Sequence, residues 1–178
     1  MFHAKKRYNA YFFKYEYEYN LYMNLDKTDL RILKILQQNG RITNLELSQT
    51  IGLSPAPTLE RVKKLEKNGF IKSYHARVDE TKLGIGIKAM MLITLPRHTE
   101  GVVDKFKKQI AAIDEITDCF KVTGNADYIL HVMVKDIHAF EELVARKIAT
   151  IEEISQMQTM VILSKAKESS VIPYNYEY

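Results

Sequence analysis

Arg61, Lys63, Lys64 and Lys67 place four cations within seven residues. Charges at that density bind phosphates, and a guanidinium can also take both acceptors on a guanine edge. A second group, Gly124-Asn125-Ala126-Asp127, suits different chemistry. Its backbone amides can approach a carboxylate closely, and Asp127 can pair an amino group. The same four residues also make an ordinary hairpin turn with Asp127 as its local hydrogen-bond partner, and the residues alone leave both readings open. The five histidines, His3, His75, His98, His131 and His138, have no metal-ligand spacing and no cysteine partners. No Ser/His/Asp arrangement, phosphate loop or dinucleotide fingerprint occurs, so no cofactor is expected.

The elements that must carry the cations are two short helices around a glycine. Thr43 and Glu46 make a Thr-x-x-Glu capping box, and Leu47 and Ile51 recur four apart, which predicts a helix over 43–51. Gly52 frees the turn. Ser54 and Pro55 then suit the N-cap and first position of a helix over 55–68 ending at Gly69. Leu59, Val62 and Leu65 are its expected inward stripe, with the cations outward. Before this pair, 25–40 is a helix capped by Asp26, with Leu30, Leu33 and Leu36/Gln37 on one face and Gly40 as a left-handed stop. Phe70–Val78 follows as an extended segment, making a winged helix-turn-helix or close variant, the pattern of a major-groove reader.

Charge follows the same division. Residues 23–84 hold eleven Lys/Arg against seven Asp/Glu, whereas 85–178 hold eleven against thirteen. The basic excess lies with the helix pair, so double-stranded DNA is the partner expected there. The single cysteine, Cys119, allows no intramolecular disulfide and fits a reducing cytoplasm; in its strand-like run it reads as a buried structural thiol. No apolar run has the length of a membrane span, and residues 1–22, rich in tyrosine, lack a signal-peptide core. That stretch is expected to be a non-native extension before Met23 or a loosely held arm.

Beyond a connection at 79–86 the pattern changes. Strands are predicted over 89–95, 116–123, 128–134 and 155–165, and helices over 99–113 and from Asp136 to about Ile148. The order βαββαβ is that of a ferredoxin-like sandwich. The fold class is thus α+β: a helix-turn-helix domain over 23–78, a linker over 79–86, a ferredoxin-like domain over 87–167 and a tail over 168–178. Both helices cover one face of the sheet, yet Met90 and Leu92, Met91 and Ile93, and Ile129 through Met133 are apolar on both faces. A second copy would cover the open one, so a homodimer is expected.

From Leu25 to about Pro173 the chain resembles the Lrp/AsnC family of leucine- and asparagine-responsive transcription regulators. The resemblance rests on Leu25-Asp26-x-x-Asp29-x-x-Ile32-Leu33, Gly52-Leu53-Ser54-Pro55-x-Pro57, Arg61-Val62-x-x-Leu65-Glu66-x-x-Gly69-x-Ile71 and Val122-Thr123-Gly124-x-x-Asp127-Tyr128. It implies a cytoplasmic regulator with dimers that assemble further, often to octamers, and an amino acid or related ligand bound between C-terminal domains. It also implies that Thr159 on the last strand lies near the pocket of Gly124, Asn125, Ala126 and Asp127. Asn125-Ala126 departs from the commoner acidic or bulkier residues there.

On the DNA side, Ser54, Ala56, Thr58, Arg61 and Lys64 are the expected exposed edge of the recognition helix. Arg61 would reach guanine and Thr58 a thymine methyl. Thr43 and Asn44, at the positive end of the first short helix, would hold a phosphate. Lys63 and Lys67 divide between phosphate contact and a solvated face. Glu60 stands where the family commonly has Arg, so base preference does not carry over. Two other readings compete with the ligand-controlled regulator. One is an architectural DNA-binding protein without ligand control. The other is an enzyme resembling the sirohaem decarboxylases, for which His75 and His131 would be the candidate histidines.

Overall fold

The computed structural model describes residues 25–96, 99–169 and 171–173; the expectations for residues 1–22 lie outside them. The chain divides into two compact units, the first ending at Ala76 and also including the segment from Glu168 onward, the second spanning Arg77–Lys167.

The first unit holds three helices. Helix α1, Lys27–Gln38, starts at a full capping box: the Asp26 side chain accepts from the Asp29 amide, and Asp29 accepts from Asp26. Helix α2, Asn44–Ile51, has the Thr43/Glu46 box and ends at Gly52, whose φ of 79° requires a residue without a Cβ penalty. Helix α3, Pro55–Lys67, begins after Ser54, whose side chain makes no capping bond. Ile32, Leu47, Ile51 and Leu65 are the buried centre, flanked by Leu33, Val62, Phe70 and others. At about 1.5–3 kcal/mol for each fully buried aliphatic side chain, that is a small core.

Two expectations for this unit are corrected. Gly40 is not left-handed; Asn39 is the C-cap, and Gly40 instead lies under Tyr74, whose Cδ1 would be 3.4 Å from an added Cβ. Leu59 is 42% exposed, and Thr58, fully buried, takes its place on the inward stripe with Val62 and Leu65. The segment after Phe70 is extended but pairs with no strand among the described residues. It is tied back to α3 by the Tyr74 hydroxyl, which donates to Glu66 at 3.0 Å.

The second unit is a four-stranded antiparallel sheet with helices on one face. Strands β1 (Ile87–Thr94), β2 (Ile116–Lys121), β3 (Tyr128–Val134) and β4 (Gln156–Val161) lie in the order β2-β3-β1-β4. Helix α4 (Glu100–Ala111) joins β1 to β2; helix α5 (Ile137–Leu143) continues into a π-helical turn, Val144–Ile148, before β4. This is the split βαβ topology expected. β1 and β3 alternate strictly: Ala89, Met91 and Ile93 pack with Tyr128, Leu130, Val132 and Val134 under Phe106, Ile110, Leu143 and Ile148. Ala89, Met91 and Ile93 of β1 and the even-numbered residues of β3 face the helices, so Met90, Leu92, Ile129, His131 and Met133 face the other way and are half-buried.

Cys119 is corrected: it is exposed, because β2 is an edge strand and only its first residue is half-buried. Gly86 marks where the connection meets β3. Its amide donates to the carbonyls of Val134 and Lys135, and an added Cβ would sit 2.5 Å from the Lys135 oxygen.

Candidate nucleic-acid interface and effector site

The outward face of α3 follows from what its inward face holds. With Thr58, Val62 and Leu65 turned in, Ser54, Ala56, Pro57, Leu59, Glu60, Lys63, Lys64 and Lys67 are exposed. Ser54, Ala56 and Lys64 therefore lie where the sequence placed them. Thr58 does not: it is fully buried, and its hydroxyl donates to the Ser54 carbonyl at 2.9 Å, so it closes the first turn and cannot meet a base. Pro57, Leu59 and Glu60 replace it at that edge, and the spacing 58, 62, 65 is the signal that locates them. Lys63 leans on Glu60 at 3.4 Å, an exposed pair of little energetic weight.

Arg61 is also corrected. Its Nη1 donates to Asp26 Oδ2 at 2.6 Å and to Asp29 Oδ1 at 2.7 Å, and its side chain is one-third exposed. Its hydrogen bonds to Asp29 and Asp26 push its pKa up. With the guanidinium folded onto α1, its fork is not presented to a guanine. It is a brace between the first and third helices.

At the N-terminal end of α2, Thr43 is occupied by Glu46, and the amide of Asn44 donates to the Pro55 carbonyl at 2.9 Å. Asn44 thus fixes the angle between α2 and α3. The carboxylate of Glu46, held by the Thr43 amide and hydroxyl, stays ionised to lower pH than usual.

The residues of the expected effector turn form one compact structure. Gly124 has a φ of 122°, and the Val122 amide donates to the Asp127 carbonyl at 3.0 Å, closing the loop between β2 and β3. Asp127 is bound on two sides: its amide donates to Ile93 and its carboxylate accepts from the Leu95 amide at 2.8 Å. Asn125 is exposed, whereas Ala126 is buried and offers only its backbone. Thr159 is exposed on β4 opposite Met91, two positions from Ile93, and no hydrogen bond joins it to the turn.

The sheet's second face carries further apolar side chains. In register, Met90 lies between His131 and Met160, Leu92 between Ile129 and Gln158, and Phe120 opposes Ile129. Phe120 and Met160 are exposed. His131 is half-buried among them, its Nδ1 2.8 Å from the Thr117 hydroxyl and 3.5 Å from the Asp118 carboxylate. Among the described residues no group of three His, Cys, Asp or Glu could hold a metal ion, and no helix is long and apolar enough to cross a membrane.

Residues 88–172 match the Lrp/AsnC ligand binding domain, and residues 25–72 match a winged helix-turn-helix DNA-binding domain. The leucine-responsive regulatory proteins of Klebsiella pneumoniae and Escherichia coli are each 36% identical over 147 residues, which is 83% of this chain and 90% of theirs. This chain belongs to the Lrp/AsnC family. It is a transcription regulator with a DNA-binding helix-turn-helix and a ligand-binding domain. Among solved structures, a Neisseria meningitidis transcriptional regulator in complex with L-methionine superposes with a TM-score of 0.82 at 33% identity, covering 86% of this chain and 99% of that one. Escherichia coli AsnC superposes with a TM-score of 0.75 at 27% identity, covering 84% and 99%. The Lrp/AsnC regulator described here thus combines an exposed basic α3 face with a sheet whose second face is apolar and uncovered.

Proposed function

We propose that this regulator binds DNA as a homodimer through the α3 faces of two copies and that a small amino acid bound between C-terminal domains controls that binding. The observation that carries the reading is the pairing of an outward α3 edge, Ser54, Ala56, Lys63, Lys64 and Lys67, with a braced geometry behind it. Three polar ties from α3's own residues and neighbours (Arg61 to α1, Asn44 to Pro55, Tyr74 to Glu66) hold that edge in place. Lys64 and Lys67 would neutralise phosphates; the small residues at the N-terminal edge would let the backbone approach the bases. Two-fold symmetry would space half-sites by about one helical turn or a multiple of it.

The dimer would bury Met90, Leu92, Ile129, Met133, Phe120 and Met160 of each copy. The Gly124–Asp127 turn supports ligand control through its exposed residues Gly124 and Asn125, and the methionine complex of the Neisseria relative supplies the ligand class. Asp127, already held by Leu95, would position the turn. Nothing in the arrangement favours catalysis, and we read the chain as a regulator and not an enzyme.

Selection of bound genomic DNA, repeated with pooled amino acids, tests the reading. A shared two-fold motif whose recovery changes with an amino acid is the expected result. Salt-sensitive binding with no shared motif and no response would instead mark an architectural protein.

A further inference from the structure

Tyr128 has a hydroxyl that is buried and without a hydrogen-bond partner, and among the described side chains it alone is in that state. Its ring packs on Phe106 with centroids 4.8 Å apart. Burying a hydroxyl unpaired costs roughly 1–3 kcal/mol, so such a group is either a defect or half of an unfilled site. The Tyr128 side chain lines a cavity of about 330 Å³ between the last turns of α4 and strand β2, with its hydroxyl buried behind the surface.

The walls are sorted by chemistry. Ile110, Ala111 and Ile116 supply an apolar side; Lys107 and Lys121 supply two exposed ammonium groups. Among the described residues neither lysine has an ion pair. Lys121 and Cys119 face the cavity from β2, since Lys121 opposes Tyr128 and Cys119 opposes Leu130, both on the helix side. Asp118 lines the rim, but its carboxylate is taken by the Thr117 hydroxyl at 3.0 Å and lies near His131. Desolvation pushes both the Tyr128 phenol and the Cys119 thiol up in pKa, so each keeps its proton at neutral pH. The phenol is therefore a hydrogen-bond donor, and the thiol is an exposed but slow nucleophile.

A donor at the floor, two cations at the mouth and one hydrocarbon wall fit a single ligand class. We propose that the α4/β2 cavity is a second small-molecule site that takes a small aliphatic monocarboxylate. Its carboxylate would sit among Lys107, Lys121 and the Tyr128 hydroxyl, and its hydrocarbon body against Ile110, Ala111 and Ile116. The site shares no side chain with Asp127 or Thr159. It lies on the helix side of the sheet, away from the open face.

Cys119 provides the readout, because it is the sole cysteine in the chain and lines this cavity. The full-length protein is labelled with a chromogenic disulfide reagent in the presence of 3-methylbutanoate or its uncharged amide. The acid should slow labelling saturably and raise the melting temperature, and the amide should do neither. Tyr128→Phe should leave the ligand-free melting temperature equal or higher, since it removes an unpaired buried hydroxyl, yet weaken protection by about tenfold, the loss of one charge-assisted hydrogen bond. Lys107→Gln, an exposed change that leaves the packing alone, should weaken it similarly. Thr159→Ala should leave protection intact. The proposal is overturned by an absence of saturable protection, by equal protection with the amide, by undiminished protection in both Tyr128→Phe and Lys107→Gln, or by its loss in Thr159→Ala.

Discussion

Arg61 donates to Asp29 at 2.7 Å, and that contact joins the third helix to the buried cap of the first. The Asp29 side chain is 6% exposed, so its carboxylate depends on Arg61 and on the Asp26 amide for compensation. Arg61→Ala should destabilise the helix-turn-helix unit by about 2 kcal/mol, below the ~3–5 kcal/mol of a fully buried pair because a third of Arg61 remains in water. DNA affinity should fall on cognate and random sequences alike, through a misplaced α3. Chemical denaturation followed beside binding to both DNAs checks this; selective loss at one base position with unchanged stability would return Arg61 to a base contact.

That contact also shows what the sequence could and could not reveal. Caps were legible because they are local: Asp26, Thr43 and Gly52 act within four residues of themselves. The βαββαβ order was legible from alternation, and Tyr128–Val134 alternates without a break. Arg61 was not, because Asp26 lies 35 residues away and a basic helix looks the same whether a guanidinium faces DNA or another helix. Thr58 and Leu59 were exchanged since a polar residue that satisfies itself on Ser54 can be buried in a way hydropathy does not mark. The cavity at Tyr128 had no sequence signal, for an orphaned hydroxyl exists only once the fold surrounds it.

Leu92 sits at the centre of the open sheet face between Ile129 and Gln158. Leu92→Lys would leave the helix-side core untouched while placing a charge in the proposed dimer contact. Dimer affinity should drop about a hundredfold or more, roughly 3 kcal/mol, seen by sedimentation as a shift to monomer. An unchanged dimer would mean that copies associate elsewhere.

Gly86 is confined by the carbonyl of Lys135, 2.5 Å from where a Cβ would stand. A backbone oxygen cannot rotate away as a side chain can. Gly86→Ala should therefore force the connection off β3 and cost the second unit about 1–3 kcal/mol. The melting temperature of the chain and exchange of the residue-86 amide, which donates to Val134 and Lys135, would report it, and unchanged exchange there would show the contact to be relaxed in solution.

Glu115 accepts two bonds from Lys147, at 2.7 and 2.9 Å. The Lys147 bond holds its carboxyl below the usual 4.5. A lowered folded pKa gives stability that is present above 4.5 and lost as pH falls through the folded value. Lys147→Met should thus be less stable than the parent at neutral pH by about 0.5 kcal/mol, as for an exposed pair. The gap should close on acidification below pH 4.5. Thermal midpoints across the acid range test this, and a gap that persists in acid would assign the effect to packing of the lysine stem.

Tyr74 works at the other end of the pH scale. Its hydroxyl donates to Glu66, and desolvation first, then that bond to an anion, pushes its pKa up to about 12. A folded pKa raised above the unfolded 10 means stability that is whole below pH 10 and lost as pH climbs toward about 12. The phenol is largely in water, so Tyr74→Phe should cost only about 0.5 kcal/mol at neutral pH. The ring would still cover Gly40 and keep the extended segment in place. The difference between variant and parent should then close and reverse in strong alkali, where the parent holds a phenolate beside the Glu66 carboxylate. Because Tyr128 and the other phenols titrate in both proteins, their contributions cancel in that difference. A gap that stays constant through this range would show that the Glu66 contact does not form in solution, and the extended segment would then be held by the ring against Gly40 alone.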